Sequence, residues 1–215
     1  MVFHKMMVEG GPVMWVIALC SLLALVVFLE KTFQFHREEI NVRELLRGLF
    51  NVLRREGFVE AITLCDNTPG PAARILGAAI LSQQRGDEDI RQAIDDAALE
   101  EIPKLERHLN LLGTLGFVMP LLGFIGTVFG MMRVFDTVRV SEYLSASDIA
   151  GGVSMALITT AAALAVAIPC HIGYNYLLGR VKSITLDMEK AALEITAFFE
   201  RRDAVRAKEE PRQDV

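Results

Sequence analysis

Cysteine is scarce, and its three copies lack any metal-binding spacing. Cys20 and Cys170 fall inside hydrophobic runs, Cys65 sits in a polar region, and no CxxC pair occurs. Neither a disulfide framework nor a zinc site is therefore expected, and the thiols read as small buried hydrophobes. The motifs of soluble catalysis are missing as well. There is no GxxxxGKS/T phosphate loop, no HExxH and no GxSxG, so no enzyme activity, cofactor or metal centre is expected. An excess of basic charge is also lacking: the net charge is −5, and nothing points to nucleic acid. The acid clusters Asp87-Glu88-Asp89 and Glu100-Glu101 read as solvated helix faces.

What the chain does have is long uncharged runs. It is 52% hydrophobic with a mean hydropathy of +0.36, yet 23% of its residues are charged. That combination fits an all-α membrane protein whose charge is gathered into soluble segments. The first run, 13–29, is long enough to span a bilayer, and Trp15 near its end suits an interfacial aromatic belt. A cleaved signal peptide is the rival reading. Only Lys5 precedes the run, and it leads straight into Glu30-Lys31 without a small-residue cleavage site, so a retained helix is expected.

The second run, Leu111 to Met132, would cross a hydrocarbon core of roughly 30 Å, but its composition is unusual for lipid. It carries Gly113, Gly116, Gly123, Gly126 and Gly130, Pro120, and the hydroxyls of Thr114 and Thr127. Small residues let helix backbones approach closely, and polar groups in a membrane usually face protein or a water path. The second span is placed at 111–135 and a short polar loop at 136–148, the loop proper beginning near Val138. The third span follows at 149–179. At about 1.5 Å per residue that last run exceeds the bilayer, so it must tilt, kink at Pro169 or project beyond it.

Residues 30–110 are soluble in character. Leu45, Leu46, Leu49, Phe50 and Leu53 recur at helical spacing, and Gly57, Asn67 to Pro71 and Gly86-Asp87 punctuate the region. Three or four amphipathic helices are expected. Asp87 is the expected cap of the last, which then reads without a break through Ile90, Ile94, Ala98, Leu105 and Leu109 into the second span, with Pro103 as a kink. Beyond Arg180 the helical pattern continues to Phe198, and the charged tail after Arg201 is expected to be disordered. Lys31, Arg37, Lys104, Arg107, Arg180 and Lys182 flank the spans on one side, against Lys5, Arg133 and Arg139 on the other. The positive-inside rule then puts 30–110 and the 180–215 segment in the cytoplasm, with residues 1–12 and the 136–148 loop outside.

The third span carries Ser154, Thr159, Thr160, His171 and Asn175. Thr160 and His171 fall within about 20° of one another around the helix, so a polar stripe descends from mid-membrane. The plainer reading, hydroxyls bonded back to their own helix carbonyls, stays open for both threonines. Neither the second nor the third span holds an interior carboxylate. A proton route through lipid normally includes one, so any titrating group must come from another chain.

At this point the sequence resembles the MotA/TolQ/ExbB proton channel family, nearer the three-span ExbB/TolQ branch than the four-span MotA type. GGPVMWVIALCSLLALVVFLEK resembles the usual first span, PLLGFIGTVFGMMRVF (Pro120 to Phe135) the second-span signature, and ALITTAAALAVAIPCHIGYN (Ala156 to Asn175) the third. The resemblance implies a homo-oligomer, a pentamer, in the bacterial inner membrane. That ring encloses a single-span partner of the ExbD/TolR type whose membrane aspartate carries protons, with a TonB/TolA-like protein further out. Proton flow then drives work on the cell envelope. Thr127 and Thr160 match the pore-facing threonines, with Thr159 and His171 as further pathway candidates; Pro120, Gly123, Gly126, Gly130 and Pro169 are read as packing residues. The chain departs from the pattern at Met155, where a glutamate is common, and at His171, where small apolar residues are usual. His171 reads either as a relay towards the cytoplasm or as a neutral imidazole bonded to a backbone carbonyl. The alternative function is a non-conducting oligomeric scaffold or secretion-assembly subunit that uses its glycine face only to join copies.

Overall fold

Uncharged runs become long helices, and the polar region between the first two becomes short ones. The computed structural model describes residues 7, 10–38, 40–86, 89–140 and 146–209; Asp87, the expected cap, lies outside them. Among the described residues seven helices follow in order: α1 Gly11–Glu38, α2 Val42–Leu53, α3 Phe58–Asn67, α4 Pro71–Arg85, α5 Ile90–Glu106, α6 Leu109–Val140 and α7 Ala146–Glu209. The described residues are 92% helical and include no strand. Three helices among the described residues are long and apolar enough to cross a membrane. By internal packing the chain divides into two units. One comprises Met1–Thr32 with His108–Leu178, the other Phe33–Arg107 with Gly179–Val215.

In the first unit α1, α6 and the first half of α7 share a core. Val13 and Ile17 of α1 meet Met119 of α6 and Ala163 and Ala167 of α7, with Cys20, Leu122, Ala162 and Val166 packed around them. Small residues dominate the α7 side, so the three helices approach closely. Their other faces stay apolar and exposed: Leu19, Phe117, Phe124, Leu157 and Ile172 present side chains outward. In water that would be untenable; in lipid it is the expected surface.

The second unit buries the leucine face of α2 (Leu45, Leu46, Leu49 and Leu53), while Phe50 is half-buried and stacks on Phe198 of α7 with ring centroids 4.8 Å apart. Helix α4 starts on Pro71, whose missing N–H costs nothing at a first turn. It stops at Gly86, where φ is +78°, a left-handed cap that glycine adopts freely. Asp89 caps α5, its side chain accepting the Gln92 backbone N–H at 3.1 Å. Of the Glu100-Glu101 pair, read as solvated, Glu100 is exposed but Glu101 is not. Consecutive residues on a helix point about 100° apart, and Glu101 turns inward, bonded to Arg74 and, at 2.6 Å, to Lys104.

The expected unbroken helix from α5 into the second span does break. Arg107 ends α5 with an extended ψ of 135°, and His108 takes a φ of +66° before α6 begins at Leu109. A side chain in that left-handed region costs about 1–2 kcal/mol. Near it, His108 Nδ1 stands 3.5 Å from Glu30 Oε1 of α1. Pro103, the expected kink, lies inside α5 without ending it. At the other end α7 continues to Glu209, so residues 202–209 are helical and not an irregular tail.

Cys65 lies in α3 at 3% exposure. Burial in the second unit, with the Asp66 carboxylate adding to it, pushes its thiol up to about 11 from 9.0. An acid whose folded pKa is raised keeps its full contribution to stability below the unfolded value. That contribution is lost as pH rises further, because only the unfolded thiol ionises there. Stability should therefore fall between about pH 9 and 11, and Cys65→Ala should flatten that part of the profile, as followed by chemical unfolding at a series of pH values. A decline of equal slope in Cys65→Ala would assign it to other groups.

Candidate functional site

The site is built by two helices that touch along their backbones. Each glycine of α6 faces a residue of α7, in antiparallel order. Gly113 faces the Tyr174 ring, Gly116 the His171 backbone, Gly123 Thr160 and Ala163, Gly126 Thr159, and Gly130 Ala156 and Gly152. A Cβ added at Gly123 would stand 2.8 Å from Ala163 Cβ, and one at Gly130 would stand 2.7 Å from the Gly152 carbonyl oxygen. No side chain fits at either place. Gly123, Gly126 and Gly130 thus pack inside one chain, and the face read from sequence as a means of joining copies is occupied by the chain's own α7. Pro120 is half-buried and Pro169 exposed, and neither interrupts its helix.

This close approach brings three oxygens together. Thr127 Oγ1 and Thr160 Oγ1 are 2.6 Å apart, and each also lies within reach of the Gly123 carbonyl, at 3.1 and 3.0 Å. Both threonines are half-buried. A hydroxyl has one hydrogen to give. The 2.6 Å separation requires one of the two hydrogens between the hydroxyls, and the other then goes to Gly123. Either threonine can take either part. What the group offers outward is lone pairs. A neutral acid, a water or a cation finds acceptors there. A carboxylate finds no donor until a hydroxyl leaves Gly123, at a net cost of about 0.5–1.5 kcal/mol.

The other residues singled out from sequence stand elsewhere. Thr159 is fully buried; its hydroxyl reaches the Met155 and Ala156 carbonyls of its own helix at 2.9 and 3.0 Å and packs on Gly126. It holds the helices in register and presents nothing to the threonine pair. His171 is exposed and about three turns further along α7, roughly 16 Å away. Asn175 and Ser154 are exposed too, and Thr114 bonds back to the Asn110 carbonyl at 2.7 Å. Met155 is buried at 5% exposure, its sulfur close to Gly11 at the start of α1. The Gly123 carbonyl has no counterpart among the residues singled out from sequence, since a backbone acceptor has no residue signature; its position four residues before Thr127 is the one signal available. Among the described residues no cluster of His, Cys, Asp and Glu is arranged to hold a metal.

Comparison with known proteins gives a consistent result. The MotA/TolQ/ExbB proton channel family profile matches residues 67–190, which contain the whole threonine site. A Synechocystis protein named as an ExbB-like biopolymer transport protein is 31% identical over 69% of this chain and 71% of its own. The Tol-Pal system protein TolQ of Haemophilus influenzae is 34% identical over 51% of this chain and 48% of its own, and the biopolymer transport protein ExbB of Xanthomonas campestris 31% over 55% and 47%. Against the last two the chain spans about half their length.

Proposed function

The chain belongs to the MotA/TolQ/ExbB proton channel family, on its ExbB/TolQ branch, and is a membrane protein; from that premise we propose that it is the ring-forming subunit of a proton-driven motor in the bacterial inner membrane. The observation that carries the proposal is the Thr127–Thr160 pair, two hydroxyls 2.6 Å apart between helices that hold no carboxylate of their own. Such a pair can receive a protonated acid but cannot itself carry the proton. The carrier is a membrane aspartate on an ExbD/TolR-like single-span partner, enclosed by a pentamer of this chain; a TonB/TolA-like protein would take the work to the envelope. Residues 30–110 and the end of α7 face the cytoplasm, and the N-terminus and the 136–148 loop face the periplasm, as the distribution of Lys and Arg directs. His171 is the candidate relay on the cytoplasmic side of the pair. Met155 puts a thioether where the branch commonly has a glutamate, so proton entry must rely on the partner and on water.

The scaffold alternative asks the glycines of α6 to join copies. Their occupation by α7 of the same chain weighs against it. Reconstitution tests the two readings. Liposomes holding the full chain alone should show no dye-reported proton uptake under a pH gradient. Those holding it with a single-span protein bearing one membrane aspartate should show it, and lose it when that aspartate becomes asparagine. Conduction by the chain alone, or none with the partner, would count against the motor.

A further inference from the structure

The second unit carries two exposed faces of opposite charge that the ion path does not use. One is a cavity of about 690 Å³ between α2 and the end of α7, lined by Phe50, Leu53, Arg54, Phe198, Arg201 and Arg202. Its floor is aromatic, since Phe50 and Phe198 stack with rings only 16° from parallel. The Arg202 guanidinium lies 5.2 Å from the Phe58 and Phe199 ring centroids, and its Nε is buried without a hydrogen-bond partner among the described residues. Arg54 and Arg201 are exposed and form no ion pair among the described residues. The arginines outnumber Glu56 and Glu194, which also line the cavity.

The other face is on α5. Leu99 is 72% exposed, on a unit whose flanking charges place it in water and not lipid. Asp95 and Asp96, one helical turn before it, are exposed and make no ion pair among the described residues. Residues three and four apart on a helix lie side by side, so the two acids and the leucine form one patch. An apolar knob flanked by carboxylates matches an aromatic cavity rimmed by guanidinium groups, which pair well with carboxylates.

We propose that the Asp95–Asp96–Leu99 patch of one copy docks into the Arg54–Phe198–Arg201 cavity of the next copy of this chain. The two faces differ, so the contact is head-to-tail, the type that closes into a ring when its rotation permits. This rests on the ring reading and names its contact outside the bilayer.

Co-expression of full-length Leu99→Cys and Val205→Cys proteins tests it; Val205 is exposed and lines the cavity. Copper-phenanthroline oxidation of the membranes should give a cross-linked dimer at least tenfold stronger than with either variant alone. Asp96→Arg on the Leu99→Cys chain should weaken it at least fivefold, and Arg201→Glu on the other chain should restore it. An intact oligomer on native gels without this cross-link overturns the inference and leaves the ring standing. A chain that is only monomeric overturns both. A cross-link that appears only after truncation beyond Glu209 shows the cavity held by the chain's own last residues, which also overturns it.

Discussion

Thr160→Val is expected to lower proton flux through the reconstituted chain and partner by at least about tenfold, which is roughly 1.4 kcal/mol of barrier. Thr127→Val should do the same. Valine keeps the shape of threonine and removes only the hydroxyl. Either change leaves one hydroxyl bonded to the Gly123 carbonyl, from which each threonine now stands 3.0 or 3.1 Å. One of the pair's two outward-facing acceptor oxygens is lost, and with it the two-oxygen dock for a neutral acid.

The same exchange at Thr159 makes the comparison informative. Its hydroxyl is spent on the Met155 and Ala156 carbonyls of its own helix, so Thr159→Val should change flux less than twofold while moving the melting temperature. The double variant Thr127→Val/Thr160→Val should lose little more than either single one, because each already breaks the pair. Coupling of that kind is the mark of residues acting as a unit. Unchanged flux in Thr160→Val, or a fall in Thr159→Val as large as in the pair, would remove the site from the mechanism.

Much of this architecture is legible in the sequence because membrane spans advertise themselves. An uncharged run of bilayer length is rare outside a spanning helix, and three of them stand out in this chain. The amphipathic face of α2 is equally plain, since Leu45, Leu46, Leu49 and Leu53 fall on one side at helical spacing. What stays hidden depends on atoms or angles that no residue type announces. The break between α5 and α6 rests on a positive φ at His108, where glycine or asparagine would have given warning. Glu101 lies beside a solvated glutamate and differs from it only in which way the helix turns it. Nothing in the residue types themselves pairs Thr127 with Thr160, 33 positions apart; only the resemblance, which makes both pore-facing, links them. That they are 2.6 Å apart, and share one backbone oxygen, follows from the glycine contacts between α6 and α7. Those contacts are also the ones whose use the sequence leaves open, because a small-residue stripe fits a helix of the same chain as well as one from a neighbour.

Gly130→Ala should be the most damaging methyl that can be added to the second span. A Cβ there would meet the Gly152 carbonyl oxygen at 2.7 Å and the Ala156 backbone nitrogen at 2.8 Å. Both are main-chain atoms, so no rotamer change relieves the clash and the helices must move apart. Overpacking of this kind costs typically about 1–3 kcal/mol, and each kcal/mol lowers the melting temperature of a chain this size by about 2–4 °C. The control is Gly151→Ala on α7, where an added Cβ meets nothing within 4 Å; there alanine should be neutral or stabilising by about 0.5–1 kcal/mol, as in any exposed helix interior. Gly152→Ala is the reciprocal of Gly130→Ala, since its Cβ would meet the Gly130 carbonyl oxygen at 2.7 Å. Once one methyl has separated the backbones, the second has less left to displace, so the double variant should melt well above the sum of the two single losses. Separation at this crossing also lengthens the Thr127–Thr160 contact one turn away, so proton flux should fall with it. A Gly130→Ala chain that melts and conducts like the parent would mean that α6 and α7 do not cross as closely as the structure places them.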